Sequence, residues 1–188
     1  MMQGIDTGHI QELWEKVTAG EDQQAFSTLY QLFFRPLFRF ALSLTRSAEV
    51  SEEIVNDIFV KIWTRKNDLA IKDLKVYLFT SVKNQALDHH RKRSQKEYVA
   101  IEEVSDIHLK FSMDPEQILV TAELLKRIEA AIQQLPPRSR LIFMLVRQYG
   151  LKYKEVAAVL ELSVKTVENQ LAIAMQKLTK TISFVLAE

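Results

Sequence analysis

The feature that most restricts the fold of this sequence is a glycine-free interval between Gly20 and Gly150. An all-β fold needs tight turns at short intervals, and glycine supplies many of their backbone conformations. Phosphate-cradling loops and dinucleotide-binding fingerprints need clustered glycines, because the backbone must turn sharply and approach the ligand closely. The interval therefore argues against an all-β fold and excludes both nucleotide-binding motifs.

Apolar periodicity near the start of the chain predicts helices with an aromatic core. The residues at helical spacing are Phe26, Leu29, Tyr30, Phe33, Leu37, Phe40, Ala41 and Leu44. Pro36 lies within this segment, and proline removes a backbone donor and clashes with the preceding turn. We therefore expect one helix to end near Phe34 and a second to begin with Pro36 in its first turn.

The segment from Ala48 to Lys66 predicts an amphipathic helix with Ser47 as its N-cap. Its polar side carries Glu53, Asn56, Asp57, Lys61 and Arg65. Such a face is either a solvated surface with helical charge pairs, each stabilising by about 0.2–0.5 kcal/mol, or a docking surface for a partner. Periodicity alone favours the solvated surface.

A helix with a basic end is predicted from Leu74 to about Arg93. Its cations are Lys83, Arg91, Lys92 and Arg93, followed by Lys96. The run is either a solvated C-terminus favoured by the helix dipole or a phosphate-contacting patch beside groups suited to unpaired bases. Those groups are Tyr77, Phe79, Ser81, Asn84 and Asp88. Adjacent His89 and His90 point about 100° apart on a helix, which argues against a metal site.

Helical periodicity fades at residues 97–113, which we interpret as a linker. Asp114 and Pro115 then resemble the start of a helix, and Leu135-Pro136-Pro137 ends it. A further helix is expected from Arg138 to Gln148, with Gly150 as a left-handed cap. The sequence thus predicts an all-α fold of two small helical domains, at residues 1–96 and 114–188.

The stretch from Gly150 to Leu178 predicts a helix-turn-helix. Tyr153 to Leu160 forms the first helix, residues 161–163 the turn, and Ser163 caps a second helix from Val164. The second helix has an apolar stripe at Val164, Val167, Leu171, Ala174, Leu178, Ile182 and Val185. Its other face carries Lys165, Thr166, Glu168, Asn169, Ala172 and Gln176. These residue types suit base edges in the major groove, although an ordinary solvated face has the same pattern.

Charge and composition limit the partners. The net charge of +1 excludes a globally basic nucleic-acid coat, so any DNA contact must come from local patches. The chain has no cysteine, hence no disulfide or cysteine-based zinc site, and we expect no cofactor or metal. It shows no signal-peptide core and no apolar run near 18 residues, so we expect a cytoplasmic protein without membrane insertion.

The order of these pieces resembles the extracytoplasmic-function type of bacterial sigma factor. An acid-led helix ending in FVKIW is followed by YLFTSVKNQALDHHRKR, a linker, QQLPPRSRLIFML and the helix-turn-helix. The resemblance extends from about Asp22 to Thr179. It implies a promoter-specificity factor without catalysis, which binds core RNA polymerase through its β′ clamp helices and β flap, and binds promoter DNA. An anti-sigma inhibitor is a further family expectation, and no obligate homo-oligomer is expected.

The resemblance also implies a role for each polar face. It implies that polymerase is bound by Glu53, Asn56, Asp57 and Lys61. It implies that the minus-ten region is recognised by Tyr77, Ser81, Asn84, Asp88, Arg91 and Lys92. Contact with the minus-thirty-five element falls to Lys152, Tyr153, Ser163, Lys165, Thr166, Glu168, Asn169 and Ala172.

Two departures from the family pattern affect the helix-turn-helix. Glu161 stands at the turn position that is often glycine, and Glu168, Asn169 and Gln170 stand where many relatives have arginines. The promoter sequence therefore does not transfer from relatives. The alternative is a LuxR-like regulator that binds operator DNA without polymerase, as a dimer, but no sensory receiver-like pattern of strands and clustered acids precedes residue 110.

Overall fold

The computed structural model describes residues 7–20, 22–94 and 128–186, and all regular elements in these ranges are helical. The N-terminal part consists of α1 (Thr7–Gly20), α2 (Gln23–Thr45), α3 (Ala48–Arg65) and α4 (Leu74–Ser94). The predicted linker at 97–113 and the helix start at Asp114 lie outside the described residues. In the described part of the chain, every helix is too short or too polar to cross a membrane.

Helix α1 has no counterpart in the sequence prediction. Its inner side consists of Ile10, Leu13, Trp14 and Val17, all of them buried. These residues follow the i, i+3, i+4, i+7 spacing of a helix that packs on a core. The pattern was therefore present in the sequence, and the helix adds one more layer against α2.

The predicted break at Pro36 is wrong, because α2 runs through it without interruption. Proline in a helix interior removes one hydrogen bond and costs about 3 kcal/mol. Phe33 and Leu37 lie on either side of Pro36 and are completely buried. Burying large side chains of this kind stabilises by about 1.5–3 kcal/mol each, which offsets the cost and keeps the helix continuous.

The N-terminal ends of α2 and α3 are fixed by side-chain caps. The Asp22 carboxylate accepts from the backbone N–H of Gln24 and Ala25 at 2.9 and 3.0 Å. The Ser47 hydroxyl accepts from the N–H of Val50 at 3.3 Å, which confirms Ser47 as the N-cap of α3. Arg46, with φ 59°, makes the left-handed turn between the two helices.

The C-terminal part contains the helix at residues 128–133 (α5), α6 (Pro137–Phe143), α7 (Tyr153–Leu160) and α8 (Val164–Leu186). Helix α6 continues as a π-helical turn over Met144–Gln148, and Gly150 then adopts a φ of 64°, as expected for its left-handed cap. The bounds of α7 and the start of α8 confirm the predicted helix-turn-helix. A hydrogen bond from Ser139 Oγ to Gln170 Oε1, at 2.6 Å, links α6 to α8.

The N-terminal and C-terminal helices share one hydrophobic core, in which α7 packs against α4. Tyr149 lies at this junction, with its ring centroid 6.1 Å from that of Phe40 and 5.4 Å from that of Phe79. Only 3% of Tyr149 is exposed, and its hydroxyl has no hydrogen-bond partner among the described residues. Aromatic packing therefore joins the two parts of the chain.

Candidate functional site

The polar face of α3 is exposed and is anchored at one residue. Glu53, Asp57 and Lys61 are exposed, whereas Asn56 is half-buried. Tyr30 of α2 donates its hydroxyl to Asn56 Oδ1 at 3.1 Å. Helix α2 therefore fixes one amide of this face, while the three charged side chains extend into solvent.

Val60 lies on the same face and was not among the predicted site residues. It is 61% exposed, the highest exposure of any large apolar side chain in the described residues. It follows Asp57 by three positions and Glu53 by seven, so helical geometry places it between the charged residues. A sequence signal existed, because a valine on an otherwise polar helix face is a candidate contact residue.

A groove of about 600 Å³ separates this face from the C-terminal half of α4. It is lined by Val50, Glu53, Ile54, Asp57, Gln85, Asp88, His89 and Lys92. Glu53 and Asp57 were predicted to bind polymerase, and Asp88 and Lys92 to bind DNA. The structure brings these residues of the two predicted sites to one groove. Among the described residues, no group of three His, Asp or Glu side chains is placed to hold a metal ion.

The outer face of α4 presents the remaining minus-ten candidates. Asn84 and Arg91 are exposed, and Tyr77, Ser81 and Asp88 are partly exposed. Arg91 Nη2 donates to Asp88 Oδ1, one turn away, and both side chains are 50% exposed. Exposed ion pairs of this kind contribute little to stability, so Arg91 can exchange Asp88 for another anion at small cost.

The opposite side of α4 faces the C-terminal helices with two lysines. Lys83 Nζ lies 2.6 Å from Glu161 Oε1, and Lys75 Nζ lies 3.2 Å from Glu155 Oε2. Lys75 also donates to the backbone oxygen of Gly150 at 2.7 Å. The hydrogen bond from Lys83, together with its charge, lowers the pKa of the Glu161 carboxyl. Lys83 is therefore not part of an exposed basic helix end, because its side chain is only 5% exposed and pairs with α7.

The helix-turn-helix is held by caps on both of its helices. Glu155 Oε2 accepts from the N–H of Lys152 at 2.9 Å, at the start of α7. Glu161 ends α7 in a left-handed conformation, with φ 57° and ψ 45°. Ser163 Oγ accepts from the N–H of Thr166 at 3.0 Å, as expected for the N-cap of α8. The turn therefore tolerates a non-glycine residue in a conformation that favours glycine.

Helix α8 has a buried apolar face and an exposed polar face, as predicted. Val167, Leu171, Ala174 and Leu178 are buried, and Val164 is half-buried. The side chains of Ile182 and Val185 lie outside those that the structure describes. The exposed residues are Lys165, Glu168, Asn169, Ala172 and Gln176, while Thr166 is partly exposed. Lys152 and Tyr153 are exposed at the start of α7.

Gln170 differs from its two neighbours on α8. Its side chain accepts the hydrogen bond from Ser139, so it points towards α6 rather than towards the exposed face. Only Glu168 and Asn169 of this trio are available to an outside partner. Lys165 Nζ lies 3.7 Å from Glu168 Oε2, and the two side chains are 79% and 45% exposed.

Two family models match this chain in the order of its two helical parts. The model of sigma-70 region 2 matches residues 29–96, which include α3 and α4. The model of sigma-70 region 4 matches residues 125–178, which include α7 and most of the described α8. Together they cover well over half of the sequence.

Curated relatives match along most of their own length. The chain is 29% identical to the RNA polymerase sigma factor NccH of Alcaligenes xylosoxydans xylosoxydans over 173 residues, covering 90% of this chain and 93% of NccH. It is 21% identical to the ECF RNA polymerase sigma factor SigM of Bacillus subtilis (strain 168) over 150 residues, covering 80% of this chain and 90% of SigM.

Two solved structures have a similar fold. CnrH, in complex with the cytosolic domain of CnrY, aligns with a TM-score of 0.60 at 24% identity, covering 93% of this chain and 97% of CnrH. The sigma factor RpoE from Bartonella quintana, in complex with the anti-sigma factor NepR, aligns with a TM-score of 0.58 at 22% identity, covering 84% and 96% of the two chains.

Proposed function

Because this chain belongs to the sigma-70 family, as an extracytoplasmic-function sigma factor that binds core RNA polymerase and directs promoter-specific initiation, we propose a division of that work among its helices. The observation that supports it is the match of regions 2 and 4, in order, to helices that expose separate polar faces. Sigma factors are initiation factors, and we assign no catalytic step to this one. A regulator that binds operators without polymerase is not favoured by these matches.

We assign polymerase docking to the exposed face of α3. Glu53, Asn56, Asp57 and Lys61 form its polar part, and Val60 is the apolar contact at its centre. Interfaces concentrate binding energy in a few central residues surrounded by polar contacts that exclude water. The β′ clamp helices are the proposed partner of this face, and the β flap that of the C-terminal helices.

The outer face of α4 is the proposed contact for the minus-ten region. Tyr77 can stack on an unpaired base, and Ser81 and Asn84 can hydrogen-bond its edges. Asp88, Arg91 and Lys92 extend this face towards the groove beside α3, with the two cations suited to phosphates. Extruding a base costs a few kcal/mol, which contacts of this kind offset.

The exposed face of α8 is the proposed contact for the minus-thirty-five element. Lys165, Thr166, Glu168, Asn169 and Ala172 offer a cation, a methyl-bearing hydroxyl, an acceptor, an amide and a methyl group to base edges and phosphates. The residues that flank this face, Lys152, Tyr153 and Ser163, complete the set, with Ser163 also serving as the cap of α8.

The proposed domains are residues 1–96 for core binding and the minus-ten region, 97–113 as linker, and 114–188 for the minus-thirty-five element. CnrH and RpoE were each solved with a protein partner, the cytosolic domain of CnrY and the anti-sigma factor NepR. By analogy, we propose that an anti-sigma factor binds this chain as well. We propose that the chain acts in the cytoplasm, because it binds promoter DNA together with core polymerase. We also propose that it acts without forming an obligate homo-oligomer.

Reconstituted transcription with core polymerase and a promoter library tests the function. We expect transcripts that depend on the added chain and share one upstream and one downstream element. Tight binding of the free chain to duplex operators, with no dependence of transcription on it, would show that the sigma assignment is wrong.

Titration of labelled core polymerase tests the docking face through Val60→Ser. We expect binding to weaken by more than about fivefold, because central interface residues contribute above about 1 kcal/mol. The matched control is Ala19→Ser, which introduces the same hydroxyl at an exposed apolar residue of α1, a helix to which no contact is assigned. Equal affinities of the two variants would remove Val60 from the docking surface.

A further inference from the structure

Two cations of α4 are occupied by carboxylates from the C-terminal helices. Lys83 pairs with Glu161 and Lys75 with Glu155, across a boundary that brings together residues nearly eighty positions apart in sequence. The Lys75 and Glu155 side chains are 11% and 10% exposed and that of Lys83 is 5% exposed, whereas the Glu161 side chain is 75% exposed. A lysine shielded from water in this way needs an anionic partner, because burying an unpaired charge is strongly unfavourable.

Helix α4 is strongly basic for a chain of nearly neutral charge. It contains five lysines and arginines, and Asp88 is its only acid. Three of the cations, Arg91, Lys92 and Arg93, lie at its C-terminal end. The other two, Lys75 and Lys83, are the pair that the C-terminal helices neutralise. The packing of α7 on α4 therefore removes charge from the helix proposed to contact DNA.

We propose that Lys75 and Lys83 are phosphate-binding cations, which Glu155 and Glu161 mask by occupying the positions of backbone phosphates. Lysine binds phosphate and carboxylate alike as a compact charge with several donors. The two lysines are eight residues apart, about 12 Å along the axis of α4, so each can contact a different phosphate of one strand. They lie on the side of α4 opposite the proposed minus-ten face, so separation of α7 from α4 exposes a second phosphate-binding face.

The conformation of Glu161 supports this interpretation independently. Its φ of 57° belongs to the left-handed region, where glycine fits without strain. Glycine at this position would relieve the backbone but would leave Lys83 without its carboxylate. A strained glutamate is therefore explained by the cation that it covers, 78 positions earlier in the chain.

Tyr149 provides the apolar part of the same contact. Its ring packs against Phe40 and Phe79, and the residue is almost completely buried. Aromatic pairs of this geometry stabilise the fold by more than the burial of their apolar area alone provides. The aromatic contact and the two ion pairs therefore hold α7 on α4 together, and removing both carboxylates leaves two buried lysines unpaired, which favours separation of α7 from α4.

The inference rests on the proposed contact between α4 and DNA, and the salt dependence of binding tests it. The full-length free chain is titrated with a fluorescent 20-nucleotide single strand at several salt concentrations. The test variant is Glu155→Gln with Glu161→Gln, in which the amide at residue 155 can still cap α7. The control is Glu15→Gln with Glu52→Gln, which changes net charge equally at exposed sites on α1 and α3.

Each newly available phosphate contact on a single strand steepens the log–log salt slope by about 0.7, so the test variant should exceed the control by about 1.4. Adding Lys75→Gln and Lys83→Gln to the test variant should abolish this difference. Equal slopes in test and control, or a difference that survives replacement of the lysines, would overturn the proposal.

Circular dichroism checks the helix content of each variant. If the double replacement unfolds, Glu161→Gln is compared with Glu15→Gln, and a difference of about 0.7 that Lys83→Gln abolishes is the supporting result. Reconstituted transcription by the unaltered chain separates the two hypotheses. Normal promoter-dependent transcription with equal slopes refutes only the masking, whereas absent transcription refutes the proposed function itself.

Discussion

Replacing Tyr149 by phenylalanine should stabilise the protein. The hydroxyl of Tyr149 is buried without a hydrogen-bond partner among the described residues, and such a group costs about 1–3 kcal/mol. The substitution removes this hydroxyl and keeps the ring contacts with Phe40 and Phe79. We therefore expect the free energy of unfolding to rise by about 1–3 kcal/mol.

Urea unfolding followed by circular dichroism and by tryptophan fluorescence measures this change, and coincidence of the two probes checks that the transition is cooperative. In thermal unfolding, each kcal/mol should raise the midpoint by about 2–4 °C in a chain of this size. Burial raises the pKa of Tyr149, so the phenol stays neutral and the gain should not vary across neutral pH.

Two other tyrosines provide controls for the same chemical change. The Tyr30 hydroxyl donates to Asn56 Oδ1, so Tyr30→Phe should lower the free energy of unfolding by about 1 kcal/mol. Tyr153 is 40% exposed, and Tyr153→Phe should change stability by less than about 0.5 kcal/mol. Loss of stability in Tyr149→Phe, as in Tyr30→Phe, would show that the buried hydroxyl is satisfied and would refute the reasoning.

Three further predictions concern the candidate interfaces and the helix that supports one of them. Glu168→Ala or Asn169→Ala should change base preference at one or two upstream positions by about 1–3 kcal/mol in promoter-library transcription; an unaltered profile would exclude this face. Asp57→Ala with Lys61→Ala should weaken polymerase binding in titrations without changing helix content, and unchanged binding would remove both from the docking surface. Ser47→Ala should lower the free energy of unfolding in urea by about 1 kcal/mol, through loss of the α3 cap.

Local signals predicted most of the helix ends. Ser47 and Ser163 cap the helices that they were expected to cap, and Gly150 has the expected left-handed conformation. Each of these features depends on a few neighbouring residues, so the local sequence is sufficient to predict it. Pro36 is the exception among local signals, because distant packing around Phe33 and Leu37 outweighs the cost of a proline within the helix.

The exposed faces were predictable from periodicity, but their grouping was not. Asp57 and Asp88 belong to helices whose relative orientation depends on the core between them, and only the structure shows that they line one groove. Val60 was overlooked because only the polar side chains of this helix face were considered as contact residues. Its 61% exposure follows from its angular position on α3, on the side away from the buried Ile58 and Ile62.

Glu161 is the residue whose conformation and contacts are least predictable from its neighbours in sequence. In the helix-turn-helix alone it is an unfavourable residue, since a left-handed turn favours glycine. In the folded chain its carboxylate pairs with Lys83, a lysine that the sequence pattern had placed in an exposed basic patch. Neither residue has a satisfactory explanation without the other, because a shielded cation and a strained acid are each unfavourable alone. The turn of the helix-turn-helix therefore links the two parts of the chain, and a change there should alter both α7 and the charge that α4 presents.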